Sequence, residues 1–140
     1  MIRHFSELEA GQVARRLVLE VYRASNSFPP EEVYGMRRQI RNAATSIAAN
    51  IAEGFGRYHH KDNLRFLYNA RGSLAEVESF IMLSEDLRYL DESTVRQLRA
   101  LCQDQLRVLN GYIKSVRART RGDAELPCQR RDAGFPITKS

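Results

Sequence analysis

Residues 43–57 read Ala43-Ala44-Thr45-Ser46-Ile47-Ala48-Ala49-Asn50-Ile51-Ala52-Glu53-Gly54-Phe55-Gly56-Arg57. Ala44, Ile47, Ile51 and Phe55 recur at three- and four-residue spacing, and the stripe continues backward through Ile40, Met36 and Val33. An α-helix advances about 100° per residue, so these positions share one buried face. Pro30 suits the first turn of this helix, with Glu31 and Glu32 at its positive end, and Gly54 and Gly56 mark its end or a bend near residue 56.

The same period appears on both sides. Upstream, Leu8, Ala14, Leu17, Val18, Val21 and Tyr22 form one stripe, stopped by Ser25-Asn26-Ser27-Phe28-Pro29-Pro30. Downstream, a third helix starts near His60 to Asp62, carries Leu64, Leu67, Ala70, Leu74, Val77 and Ile81 inward, and ends around Tyr89-Leu90. Gly72 inside it costs roughly 1 kcal/mol relative to alanine, so close packing against another backbone is expected there. Asp91-Glu92-Ser93 is a capping signal for a fourth helix that runs to about Arg119, with Val95, Leu98, Cys102, Leu109, Tyr112, Ile113 and Val116 inward.

No alternating run suggests a strand, and the connections are short. These features predict an all-α fold, an antiparallel up-down-up-down four-helix bundle over residues 1–120. Residues 121–140, aperiodic and rich in charge with Gly and Pro, read as a flexible tail.

Composition narrows the function. No run approaches the ~18 apolar residues of a membrane span, and the N-terminus has no apolar secretion-signal region, so cytoplasm is the expected location. Cys102 and Cys128 lack metal-site spacing, and Cys102 reads as a reduced core thiol. His59-His60, on the turn between helices 2 and 3, lacks a carboxylate constellation and makes a poor metal site. No nucleophile–base pair and no phosphate-cradling glycine loop are apparent, so neither an enzyme nor a cofactor is expected.

The net charge of +5 is uneven. Residues 1–90 hold 12 Lys/Arg against 11 Asp/Glu, whereas residues 91–120 hold 6 against 3. On helix 4, Arg96, Arg99, Gln103, Arg107, Asn110, Lys114 and Arg117 fall within about 80° of arc, uninterrupted by acid. Five cations over ~30 Å can follow a phosphate backbone. No aromatic residue interleaves them, which argues for backbone contact over base stacking.

Helix 2 adds two further faces. One carries Arg37, Arg38 and Arg41 and is a second candidate for phosphate contact. The other carries Gln39, Ser46, Asn50, Glu53 and Arg57 between alanines, a polar seam that needs partners. Arg71, Glu78 and Glu85, spaced by sevens on helix 3, are its expected partners, in a network that fixes helix register or subunit packing.

Phe28-Pro29, Tyr34-Gly35, Gln39-Ile40-Arg41, Ala44-Thr45-Ser46-Ile47 and Asn50 through Arg57, followed by Arg65 through Glu78, closely resemble a bacterial four-helix-bundle family first met as proteins encoded in intervening sequences of 23S ribosomal RNA. The resemblance spans roughly residues 5–118, and that family includes the accessory protein (Avd) of diversity-generating retroelements. The resemblance implies a homopentamer that binds RNA or DNA and docks on a reverse transcriptase. A protein-interaction scaffold without nucleic-acid binding is the alternative.

Overall fold

A computed structural model describes residues 2–125, with side chains described through residue 121. Residues 126–140, which include Cys128 and most of the expected tail, lie outside the described residues. The chain forms four helices, α1 (Glu9–Ser25), α2 (Met36–Phe55), α3 (His60–Asp86) and α4 (Glu92–Glu125), with short 3-10 turns at Phe5–Glu7 and Pro30–Glu32. There is no strand among the described residues.

The helices are antiparallel, as residue pairs across each seam show. Arg41 of α2 reaches Ser25 at the end of α1, Ser46 of α2 meets Ser73 of α3, and Asn63 at the start of α3 meets Tyr112 late in α4. Gln105 of α4 reaches Ala10 at the start of α1, closing the square. Leu17, Val21, Ile40, Ile47, Ile51, Leu67, Leu74, Ile81, Leu98, Leu109 and Ile113 fill the interior, drawn from all four helices. Truncating one of these leucines or isoleucines to alanine costs about 2–5 kcal/mol.

The local signals act as expected in some places and differ in others. Asp91 caps α4, its carboxylate accepting the Thr94 N–H at 2.8 Å, and that bond holds the Asp91 pKa below its ordinary value. Pro30, however, opens a 3-10 turn, and α2 starts only at Met36. The first N–H of α2 is held by Glu32, whose Oε1 accepts the Met36 N–H at 2.8 Å and whose Oε2 accepts the Tyr89 hydroxyl at 2.7 Å. One carboxylate thus ties the α2 start to the α3–α4 turn. Phe28, buried beside the Tyr89 ring at 5.3 Å, completes that corner. Val33 sits in the turn and is exposed instead of extending the α2 stripe, and Tyr22 lies outside the core with Arg41 over its ring.

The glycines exchange roles. A Cβ on Gly72 would meet nothing within 4 Å, so close packing is not what places glycine there. Gly54 is the crowded position: a Cβ would sit 2.6 Å from Asn63 Oδ1, 3.1 Å from Asn63 O and 3.2 Å from Phe66 Cβ. The α2–α3 hairpin closes tightly only because residue 54 has no side chain.

α3 ends at Asp86, earlier than Tyr89-Leu90, because Arg88 turns left-handed (φ 63°) and Tyr89 donates its N–H to Ser84 O at 2.8 Å. α4 continues to Glu125, past Arg119, since Gly122 lowers helix propensity by only ~1 kcal/mol and the next proline is Pro127. No helix among the described residues is long and apolar enough to cross a membrane.

Candidate nucleic-acid interface

Each candidate cation is available to a ligand only to the extent that the fold leaves it unspent. On α2 the three arginines separate. Arg41 donates through Nε to Ser25 Oγ (2.7 Å) and through a terminal nitrogen to Tyr22 O (3.1 Å) and Asn26 Oδ1 (2.9 Å). It therefore satisfies the carbonyl end of α1, where a cation is also favoured by the helix dipole. Arg37 donates to Phe28 O at 3.0 Å, and its Nε is buried. Arg38 is the exposed one of the three.

The polar seam of α2 finds its partner inside the protomer. Ser46 Oγ lies 2.9 Å from Ser73 Oγ, and Asn50 donates to Ser46 O (2.8 Å) and Ser46 Oγ (3.1 Å). Arg57 pairs with Glu53 one turn away and lies over the Phe66 ring, while Gln39 is exposed. Arg71 and Glu78 do not join this seam, which corrects the expected partnership. Arg71 turns to α4, donating to Asn110 Oδ1 at 2.9 Å. The reason is rotational: Ser73 stands on the α2 side of α3, and Arg71, two residues earlier, stands well round from it. Burial first, then the Glu78 charge, pushes the Cys102 thiol up to about 12, so this sulfur is inert at neutral pH.

The helix 4 arc is divided. Arg96 is ion-paired with Glu92 (2.9 Å), and Arg107 with Asp104 (2.7 Å), which holds the Arg107 pKa above its ordinary value. Arg16 of α1 reaches the same Asp104 at 3.8 Å. Arg99 and Lys114 are exposed and make no ion pair with a described residue. Arg117 turns to α3, donating through Nε to the Tyr68 hydroxyl at 2.9 Å.

Antiparallel pairing brings the first turns of α3 beside the last turns of α4, and there the charge collects. Within the α3–α4 hairpin, residues 60–72 and 108–125 together hold seven Lys/Arg and three acids, Asp62, Asp123 and Glu125. The intervening residues 73–107, at the other end of the same hairpin, hold four Arg and seven Asp/Glu. The hairpin is therefore electrically polarised along its length. Arg71, Lys114, Arg117 and Arg121 lie at its basic end, and none is ion-paired with a described residue. Such a net-positive end attracts a polyanion in a salt-dependent way.

Tyr68 and Arg121 were not among the sequence candidates. Tyr68 is 37% exposed, with the Arg71 and Arg117 guanidiniums 5.3 and 5.4 Å from its ring centre. The basic surface is thus interleaved with an aromatic ring after all, one contributed by α3 and not by α4. The available signal was Arg65, Tyr68 and Arg71 at three-residue spacing, legible only once α3 is paired with α4 in register. His59 is exposed next to Tyr58, and among the described residues no three His, Cys, Asp or Glu side chains converge on one point.

A search of curated proteins returned no match to the chain. A sequence model described as the 23S rRNA-intervening sequence protein matches residues 6–111, which cover α1 through most of α4.

Proposed function

The chain belongs to the 23S rRNA-intervening sequence protein family, and from that premise we propose that it is a non-enzymatic nucleic-acid-binding protein that holds phosphates on the basic end of the α3–α4 hairpin. The observation that carries the proposal is the charge polarity of that hairpin: seven cations against three acids at one end, four against seven at the other. Arg71, Lys114, Arg117 and Arg121 are the side chains assigned to phosphate contact. Arg96 and Arg107, tied to Glu92 and Asp104, are assigned a minor part.

The resemblance noted in the sequence extends the proposal to a homopentamer acting as an accessory factor in a ribonucleoprotein, such as a diversity-generating retroelement reverse-transcriptase complex. In a closed ring the basic ends repeat by symmetry, which multiplies the positive field a polyanion meets. The polar seam of α2 does not argue for that ring, because Ser46 and the Asn50 amide nitrogen find partners within one protomer.

The test is fluorescence anisotropy on a labelled RNA across a salt series. Four phosphate contacts on a single strand predict an affinity loss of about 50-fold between ~50 and ~200 mM salt. Lys114→Glu with Arg117→Glu is expected to abolish binding, while Arg96→Glu with Arg107→Glu leaves most of it. Salt-insensitive binding, or equal loss in both double variants, refutes the assignment. Sedimentation equilibrium tests the pentamer.

A protein-interaction scaffold is the second reading. Its support is Leu19, 56% exposed beside Val18 and Ala48 in an open groove between α1 and α2. Stoichiometric capture of one protein after nuclease treatment, with no RNA affinity, favours it.

A further inference from the structure

We infer that Tyr68 is a stacking platform for an unpaired nucleobase, so that the basic end of the hairpin holds single-stranded nucleic acid in preference to duplex. The inference rests on the nucleic-acid reading above and names the element that reads the strand's form.

The argument starts from what the ring does within the protomer. Tyr68 is fixed by the hydrogen bond from Arg117 Nε at 2.9 Å, and Arg71 beside it is fixed by its bond to Asn110 at 2.9 Å. An aromatic ring and two guanidiniums are therefore held in place before any ligand arrives, which lowers the ordering cost of binding. Bases of an unpaired strand stack on both aromatic rings and arginine planes, and here two arginine planes flank a ring that is 37% exposed. Neither arginine has a carboxylate partner among the described residues, so both charges remain for phosphates.

A surface built for duplex backbone alone has no use for the ring. A phenol there occupies a position where another cation would add to a purely electrostatic track. In a duplex the bases are stacked on each other and present only their edges, so the face of Tyr68 finds no partner. The contrast with Phe66 is informative. Phe66 also has two guanidiniums over it, from Arg57 and Arg65 at 4.6 Å each, but it is half-buried toward α2 and Arg57 is already paired with Glu53. Tyr68 combines exposure with unspent neighbouring charge.

The experiment compares wild type, Tyr68→Leu and Tyr68→Phe on two labelled probes of equal length, an unstructured single-stranded RNA and an RNA duplex. A 2-aminopurine placed in the single strand reports stacking through its quenching. Wild type is expected to prefer the single strand and to quench the 2-aminopurine. Tyr68→Leu is expected to lose about tenfold in single-strand affinity, within the range for one base–aromatic stack, and to leave duplex affinity unchanged. Tyr68→Phe keeps the ring and is expected to retain both the preference and the quenching.

Should Tyr68→Leu weaken both probes equally, or neither, the ring is a structural link between α3 and α4 and the inference is overturned. Absence of quenching by wild type overturns it even where Tyr68→Leu fails to fold. If wild type binds neither probe, the nucleic-acid reading itself has failed. Steep salt-dependent binding of both probes without preference leaves that reading standing and removes the stacking site alone.

Discussion

Gly54→Ala and Gly72→Ala are the same chemical change in two helices of one bundle, and the structure assigns them opposite signs. At Gly72 an added methyl meets nothing within 4 Å, so the helix gains about 0.5–1 kcal/mol from the reduced freedom of the unfolded chain. At Gly54 the same methyl lies 2.6 Å from Asn63 Oδ1, and Asn63 cannot simply rotate away. It is 5% exposed, and its amide donates to the Tyr112 hydroxyl at 3.2 Å. Moving it forfeits a bond of about 1 kcal/mol, and the Asn63 carbonyl and Phe66 Cβ at 3.1 and 3.2 Å still force α2 and α3 apart. Overpacking of this kind costs about 1–3 kcal/mol, so after the helix-propensity gain the net loss is about 2 kcal/mol. The two variants then differ by about 3 kcal/mol, or about 10 °C in melting temperature. Urea unfolding followed by circular dichroism at fixed protein concentration measures this directly. A Gly54→Ala protein as stable as Gly72→Ala would refute the claim that helix approach dictates the glycine in Asn50–Arg57.

Other outcomes follow from the same packing. Glu32→Ala is expected to lower the melting temperature at pH 7. The Met36 N–H and the Tyr89 hydroxyl hold the Glu32 pKa below its ordinary 4.5, and Glu32 raises that of Tyr89 above 10.0. The clamp's contribution is therefore full between those two ordinary values. It is lost as pH falls through the lowered carboxylate value or rises through the raised phenol value. A stability gap between wild type and Glu32→Ala that stays constant down to acid pH would show that the carboxylate is not the clamp. Gln105→Leu removes a buried Oε1 with no hydrogen-bond partner among the described residues but also the Nε2 bond to Ala10 O at 3.1 Å. The two effects offset, so urea unfolding is expected to shift by less than about 1 kcal/mol. Arg88→Gly relieves a left-handed residue and is expected to raise stability by about 1 kcal/mol, read from the thermal midpoint.

How much of this was legible beforehand depends on whether a feature belongs to one helix or to two. Ile40, Ile47 and Ile51 are buried because a single helix with that spacing has only one face to bury, and any fold of the chain must respect it. Pro29 and Asp91 mark an end and a start for equally local reasons, a missing donor and a cap. The excess of positive charge toward the later part of the chain is a count. These the sequence determined by itself.

What it did not contain is how far each helix is rotated and slid against its neighbour. That decides that Ser46 meets Ser73 while Arg71 faces Asn110, and that Gly54 is crowded while Gly72 faces open space. It decides that Arg41 is consumed in capping α1 whereas Lys114 stays exposed without an ion pair to a described residue. It also brings Tyr68 against Arg117, 49 residues away in the chain. Periodicity is a property of one helix and is written in its own residues. Register across a seam is set by the packing of two faces together, so the basic end of α3 and α4, with a ring in its midst, exists only in the folded hairpin.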